Sequence, residues 1–267
     1  MYSMAAPHAK GKSAEDNIFA ANNRAIALAE KIGTENVVNA TVGSILDEDG
    51  SLVVLDVVKE ALSALTPKEM CAYAPIQGYR AFLDAAIDQC FGKSRPEGYI
   101  DACSTPGGTG VLHHVVHNYS EVGDEVLISD WHWGAYDSLI DDNNRKVRTF
   151  SLLTEDGHFH AADFKDKVED ILSRQDNIVI ILNGIANNPT GYCLSDEEWQ
   201  AAIDVLKEAV KDETKKAILI PDVAYLDYSG EKEECRKFFR LFGGLPKNIL
   251  TVCAYTLSKG FTMYGQR

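Results

Sequence analysis

The sequence predicts an α/β fold, a mostly parallel sheet with helices on both faces. Two observations carry this. From residue 99 onward, short apolar or β-branched runs (99–104, 125–129, 146–152, 177–183, 217–222 and 249–255) alternate with helix-period patterns (110–119, 136–141, 163–174, 196–211 and 233–242). Such alternation gives parallel strands, because a parallel connection must cross back over the sheet and a helix makes that crossing. The 267-residue chain is also 45% hydrophobic, enough to fill one large α/β domain or two smaller ones. In such sheets ligands gather at the carboxyl ends of the strands, so the residues just past each run bear the chemistry.

Residues 1–12 are polar and read as an arm. Ser13 with Asp16 resembles a capping box and opens a helix with Ile18, Phe19, Ile26 and Leu28, ending near Gly33. A short strand is expected over 37–43, a turn over 47–50, and a helix over 55–65 stopped by Pro67. An irregular segment, 73–78, precedes a helix over 79–91. In the alternating part, Ser195 and Glu198 form a capping box at the start of a helix.

A net charge of −14 argues against non-specific nucleic-acid binding and against an anionic membrane surface. The six cysteines have no C-x-x-C spacing, so no zinc or redox motif is suggested. Cys90, Cys103 and Cys253 read as small core residues, and scattered thiols fit a reducing, cytoplasmic setting. No signal peptide and no membrane span are expected. His113 and His117 have metal-ligand spacing but lack a third ligand, so no metal is expected.

Five stretches at the expected strand ends carry candidate chemistry. Thr105-Pro106-Gly107-Gly108-Thr109-Gly110 feeds a helix N-terminus, an anion site suited to phosphate or else a plain tight turn. Trp133 offers a flat surface for stacking on a planar ring, or packs in the core. The Asn188 amide can donate to a phenolate-like oxygen, and Tyr225 could share that oxygen. Asp222 follows an apolar run, so it is expected to be buried and to need a partner; a pyridine nitrogen kept protonated is one, a helix N-cap role another. Lys259 sits at the mouth of the last strand, where partial burial favours the neutral amine that attacks aldehydes. Thr256 before it and Arg267 after it could take a phosphate. Tyr73, held by a proline turn, could contact a ligand or pack on its own domain. Trp131, His132 and Tyr136 hint at an aromatic-rich pocket.

Taken together, Tyr73, Gly107-Gly108-Thr109, Trp133, Asn188-Pro189-Thr190-Gly191, Asp222-Val223-Ala224-Tyr225 and Thr256-Leu257-Ser258-Lys259 with Arg267 resemble the class I/II aminotransferases. This is the fold-type I group that uses pyridoxal 5′-phosphate (PLP), of the aspartate and aromatic aminotransferase kind. The similarity runs from about residue 38 onward. It implies a PLP-binding large domain over 53–267, incomplete at its C-terminus, and an arm plus the start of a small domain over 1–52. It implies Lys259 as the residue that bonds the cofactor aldehyde and shuttles the substrate proton, with Asp222 on the ring nitrogen. Asn188 and Tyr225 would hold the ring oxygen and Trp133 would stack on the ring. Gly107, Gly108, Thr109, Thr256 and Arg267 would hold the phosphate. Tyr73 would reach the phosphate of a neighbouring subunit in a homodimer, and Gly43 and Asn188 would line the substrate. Tyr136 stands where some members have a histidine behind the aspartate. The implied reaction is transamination between an aromatic or aspartate-like α-amino acid and a 2-oxo acid. A PLP-dependent lyase acting by β-elimination, and an inactive PLP-binding fragment, are the alternatives. Members of the family are longer, so the arginine for the substrate carboxylate and one antiparallel strand are expected beyond residue 267.

Overall fold

In the computed structural model, residues 4–10 and 17–266 are described. The Ser13–Asp16 box, the side chains of Ile18 and Phe19, and Arg267 lie outside the described residues. The chain divides into two units, Met1–Val53 and Val54–Arg267.

In the first unit, helix α1 (Asn17–Ile32) ends at Gly33, whose φ of 96° is the left-handed conformation a helix stop favours. The strand expected over 37–43 is not formed. Its polar side chains bond elsewhere: the Asn39 amide donates to Asn22 Oδ1 at 2.8 Å, and the Thr41 hydroxyl donates to Asn39 Oδ1 at 2.7 Å. Val38 is 96% exposed, so among the described residues no second strand or core face draws the segment into a ladder. The turn at 47–50 is present, closed by an antiparallel bridge between Leu46 and Leu52.

The second unit is built on five parallel strands, β1 (Glu125–Ser129), β2 (Lys146–Phe150), β3 (Asn177–Leu182), β4 (Lys216–Pro221) and β5 (Ile249–Thr251), in the order β2-β1-β3-β4-β5. The near-continuous apolar runs of the three inner strands, β1, β3 and β4, follow from burial on both faces, and the period of two divides each run between two cores. Leu127, Ile178, Ile180, Leu182 and Leu219 face one core, with Phe164 and Val168 of α7 (Ala161–Leu172) and Trp199 and Ile203 of α8 (Asp196–Ala209). Val126, Ile128, Val179, Ile181, Ile218 and Ile220 face the other, with Leu112 and Val116 of α5 (Gly107–Tyr119) and Tyr136 and Ile140 of α6 (Ala135–Asp142). Each such side chain removed from water contributes about 1.5–3 kcal/mol, so the sheet centre is the stability core.

The remaining helices are α2 (Asp56–Ala64), α3 (Pro67–Cys71), α4 (Arg80–Phe91) and the single turn α9 (Leu257–Gly260). Pro67 starts α3 at a position where its missing N–H costs nothing. The capping box on α8 forms: Ser195 Oγ accepts from the Glu198 N–H at 3.2 Å, and Glu198 Oε2 accepts from the Ser195 N–H at 2.9 Å.

Two further expected elements differ. Residues 99–104 form no strand, and Tyr99 is 92% exposed. An apolar run becomes a strand only with a ladder to join, and this run has none among the described residues. Cys103, expected in the core, is exposed for the same reason, while Cys90 is buried and Cys253 is partly so. The helix expected over 233–242 is a 3₁₀ segment, Lys237–Phe242. It is held by aromatic packing of Phe238, Phe239 and Phe242, with Phe238 stacked on Trp199 at 4.7 Å. No helix among the described residues is long and apolar enough to cross a membrane.

Candidate active site

The strand order decides which distant residues meet. Because β1, β3, β4 and β5 are neighbours and parallel, the segments after them, beginning at 130, 183, 222 and 252, emerge side by side at one sheet edge. The pairing of β4 with β5 continues past both strands as a bridge between Asp222 and Ala254.

Asp222 is buried there. Its Oδ2 accepts the Tyr136 hydroxyl at 2.5 Å, and its Oδ1 accepts the Ala224 N–H at 3.1 Å. Burial pushes the Asp222 carboxyl above the usual aspartate range, with those two donors pulling the other way. No cation offsets the burial among the described residues. Burial first, and the Asp222 charge second, push the phenols of Tyr136 and Tyr225 up. The Trp133 ring stands edge-on to Tyr136, with centroids 5.8 Å apart.

Asn183 ties this aspartate to the next loop. Its side-chain amide donates to the Asp222 carbonyl at 2.9 Å, and its Oδ1 accepts the Asn188 N–H at 2.6 Å. The Asn187 amide donates to the carbonyls of Asn183 and Trp131, so three strand-end loops share one hydrogen-bonded set. The Asn188–Pro189 peptide is cis.

On the β5 side, Thr256 is buried and its hydroxyl accepts the Ser258 N–H at 3.2 Å, capping α9. Lys259 is half-buried in that turn. Its Nζ lies 5.3 Å from the centre of the Tyr225 ring and 5.2 Å from that of Tyr264. Burial holds the ammonium below the usual lysine range, with Tyr264 opposing.

Facing Thr256 is the start of α5, which begins at Gly107 rather than at the expected Gly110. Gly107 has φ 68°, which turns the chain into the helix, and a side chain on Gly108 would meet Thr256 at 3.8 Å. The first turn of a helix has N–H groups without intrahelical partners, and those of Gly108 and Thr109 belong to it. The start of α5 therefore packs against the Cβ and methyl of Thr256, with the N–H groups of its first turn beside that contact.

Gly107, Gly108, Thr109, Trp133, Asn188, Asp222, Tyr225, Thr256 and Lys259 thus lie on one linked set of contacts or in the turns carrying it. Tyr73 does not: it is fully exposed, although its loop is tied at Gln77 to the Ser104 N–H, just before the α5 turn. Gly43 belongs to the first unit. His113 stacks on His117 and faces the Asn143 amide at 3.0 Å. Sequence reasoning missed Asn183, although a polar residue closing a five-residue apolar run was a signal. It also missed Tyr264, which nothing in the local pattern marks.

A family model described as "Aminotransferase class I and II" matches residues 35–267. A crystal structure of an aminotransferase from Anaerococcus prevotii is 38% identical, with a TM-score of 0.97 over 100% of this chain and 65% of that one. The chloroplastic aspartate aminotransferase of Arabidopsis thaliana is 30% identical over 237 residues, covering 86% of this chain and 50% of that protein. The aromatic-amino-acid aminotransferase of Burkholderia pseudomallei, solved covalently bound to pyridoxal phosphate, shares the fold at 20% identity, with a TM-score of 0.72 over 98% of this chain and 64% of that one. The chain spans about half the length of the curated relatives it matches.

Proposed function

The chain belongs to the class I and II aminotransferase family, whose members depend on pyridoxal phosphate, and from that premise we propose that its strand-end site holds this cofactor for transamination between an α-amino acid and a 2-oxo acid. One observation carries the reading: a buried carboxylate, Asp222, with no cation beside it among the described residues, lies one strand away from a half-buried lysine whose ammonium is disfavoured. A protonated pyridine nitrogen suits the first and an aldehyde suits the second. The unpaired N–H groups of the first turn of α5, which starts beside Thr256, suit the phosphate. The donor set therefore fits the group.

When bound, PLP withdraws electrons from the substrate Cα and makes its proton acidic. The rest is work for the chain. Lys259 Nζ would hold the aldehyde end and, once the substrate amine displaces it, would take the Cα proton and return it; burial, which lowers its ammonium below the usual lysine range, favours the neutral amine this needs. Asp222, kept in place by Tyr136, Ala224 and Asn183, holds a proton on the ring nitrogen. Tyr225 and Asn188 orient the ring oxygen, Trp133 covers a ring face, and Gly107, Gly108, Thr109, Thr256 and Arg267 hold the phosphate.

The amino donor in this reading is aspartate-like or aromatic, supported by the names of the relatives. A second copy of the chain is the partner, supported by the fully exposed Tyr73 and Ile76 on one loop; Tyr73 would serve the neighbour's phosphate. Residues 1–52 then belong with a small domain and 53–267 with the large one. Six free cysteines support a reducing cytoplasm.

The test is a visible spectrum after PLP addition, followed by borohydride reduction and peptide mapping. A new absorption band and a label on Lys259, both lost in Lys259→Ala, are expected. A folded protein with no band, or with the label elsewhere, refutes the cofactor assignment. Keto-acid release from aspartate or phenylalanine with 2-oxoglutarate tests the reaction; PLP capture without any keto acid would leave a binding fragment.

A further inference from the structure

Behind the lysine turn lies a polar cluster that the proposed chemistry does not use. Asp227 Oδ1 accepts from Arg236 Nη2 at 2.5 Å, and Asp227 Oδ2 accepts from the Tyr255 hydroxyl at 3.2 Å. The same Oδ2 fills the space where a side chain on Gly260 would project, so the carboxylate packs directly on the end of α9. Tyr228, the next residue, donates its hydroxyl to the Lys259 carbonyl at 2.7 Å. Arg236 is 1% exposed and also donates to the carbonyls of Cys90, at the end of α4, and of Lys232, both at 3.0 Å.

A buried ion pair adds little net stability, because desolvating both charges offsets their attraction. What the planar guanidinium supplies is direction: its fork fixes the Asp227 carboxylate against the backbone carbonyls of Gln89, Cys90 and Lys232. Helix α9 needs such support. Four residues cannot hold a helical turn alone, and the last carbonyls of any helix lack internal partners. Thr256 caps the start of the turn, and at its end the Lys259 carbonyl accepts the Tyr228 hydroxyl at 2.7 Å as well as the Thr262 N–H at 3.2 Å.

We propose that Asp227 and Tyr228 are positioning residues that hold α9 and so set the direction from which the Lys259 amine enters the site. This rests on the reading of Lys259 as the cofactor-bonding residue. Arg236 and Tyr255 hold Asp227, and Gly260 is required where it stands because the carboxylate occupies its side-chain space.

The test compares the full chain with Tyr228→Phe, which deletes one hydroxyl, by two readouts. In the PLP-free protein, amide hydrogen exchange of peptides covering 256–263 rises about threefold, the loss of one partly exposed hydrogen bond, while exchange in β3 and β4 and the thermal midpoint stay at parent values. With PLP added, the circular dichroism of the bound chromophore, which reports its fixed orientation, falls by about half at unchanged loading. Tyr255→Phe, which frees one oxygen of Asp227, gives the same pattern and serves if the first variant fails to fold. Parent-like exchange together with parent-like dichroism in both variants overturns the proposal. Absence of any PLP band in the parent overturns the cofactor reading instead, and the exchange experiment still decides whether the cluster holds the turn.

Discussion

At the scale of single residues, the site trades stability against function. Burial raises the Asp222 carboxyl, so the folded, cofactor-free protein keeps that proton over a pH window where the unfolded chain has lost it. Asp222 therefore favours folding at acid pH, and that contribution is lost as pH rises through the raised value. Lys259 has the opposite sign: its lowered ammonium favours folding above the ordinary lysine range, and this is lost as pH falls through the lowered value. Near pH 7 both groups cost stability. Asp222→Asn should then stabilise the PLP-free protein, by on the order of 1 kcal/mol, while weakening PLP binding at least tenfold. Thermal scans with and without PLP check both halves, and a lower midpoint without PLP would contradict the argument. Tyr136→Phe removes the shorter of the two donors to Asp222. The carboxyl should rise further, and the acid limb of PLP binding should move to higher pH, readable by titrating the bound chromophore.

At the scale of elements, Ser195→Ala removes one half of the α8 box and should cost about 1 kcal/mol. Trp199→Ala, on the next turn and wholly buried against Phe238, should cost about 3–5 kcal/mol. Chemical denaturation ranks the two, and comparable costs would refute the packing argument. The contrast also shows what the sequence makes legible. The box at Ser195 and Glu198 is local, so it can be read from four consecutive positions. Strands β1 and β3 are legible because burial on both faces demands unbroken apolar runs. Residues 99–104 carry the same signal and form no strand, since a ladder depends on a partner that local pattern does not encode. The glycines at 107 and 108 read as a turn yet begin α5: in a first helical turn the N–H groups are unpaired anyway, so poor helix formers are tolerated there. The 3₁₀ stretch after Arg236 follows from contacts to α8, which no window of neighbouring residues contains.

At the scale of the molecule, strand and helix alternation predicts a parallel sheet but not its order, and the order β2-β1-β3-β4-β5 is what assembles the site. The residues recognisable as a set, from Gly107 to Lys259, are those that strand ends carry. Asn183 and Asp227 escaped notice because their partners, Asp222 and Tyr255, come from neighbouring strand ends. A charge of −14 on 267 residues repels itself. Moderate salt should therefore raise the thermal midpoint by a few degrees through screening, and a falling midpoint would show that ion pairs such as Arg174–Glu125 outweigh that repulsion. Finally, the chain's three tryptophans stand at three depths: Trp199 sealed in one core, Trp133 against Tyr136 at the site, and Trp131 54% exposed. Their fluorescence divides accordingly. Iodide should quench Trp131 most and Trp199 least, an acceptor bound at the strand ends should dim Trp133 first, and a red shift of the blue-most emission should appear only when the Trp199 core opens, so one emission spectrum separates solvent access, occupancy and unfolding without any added label.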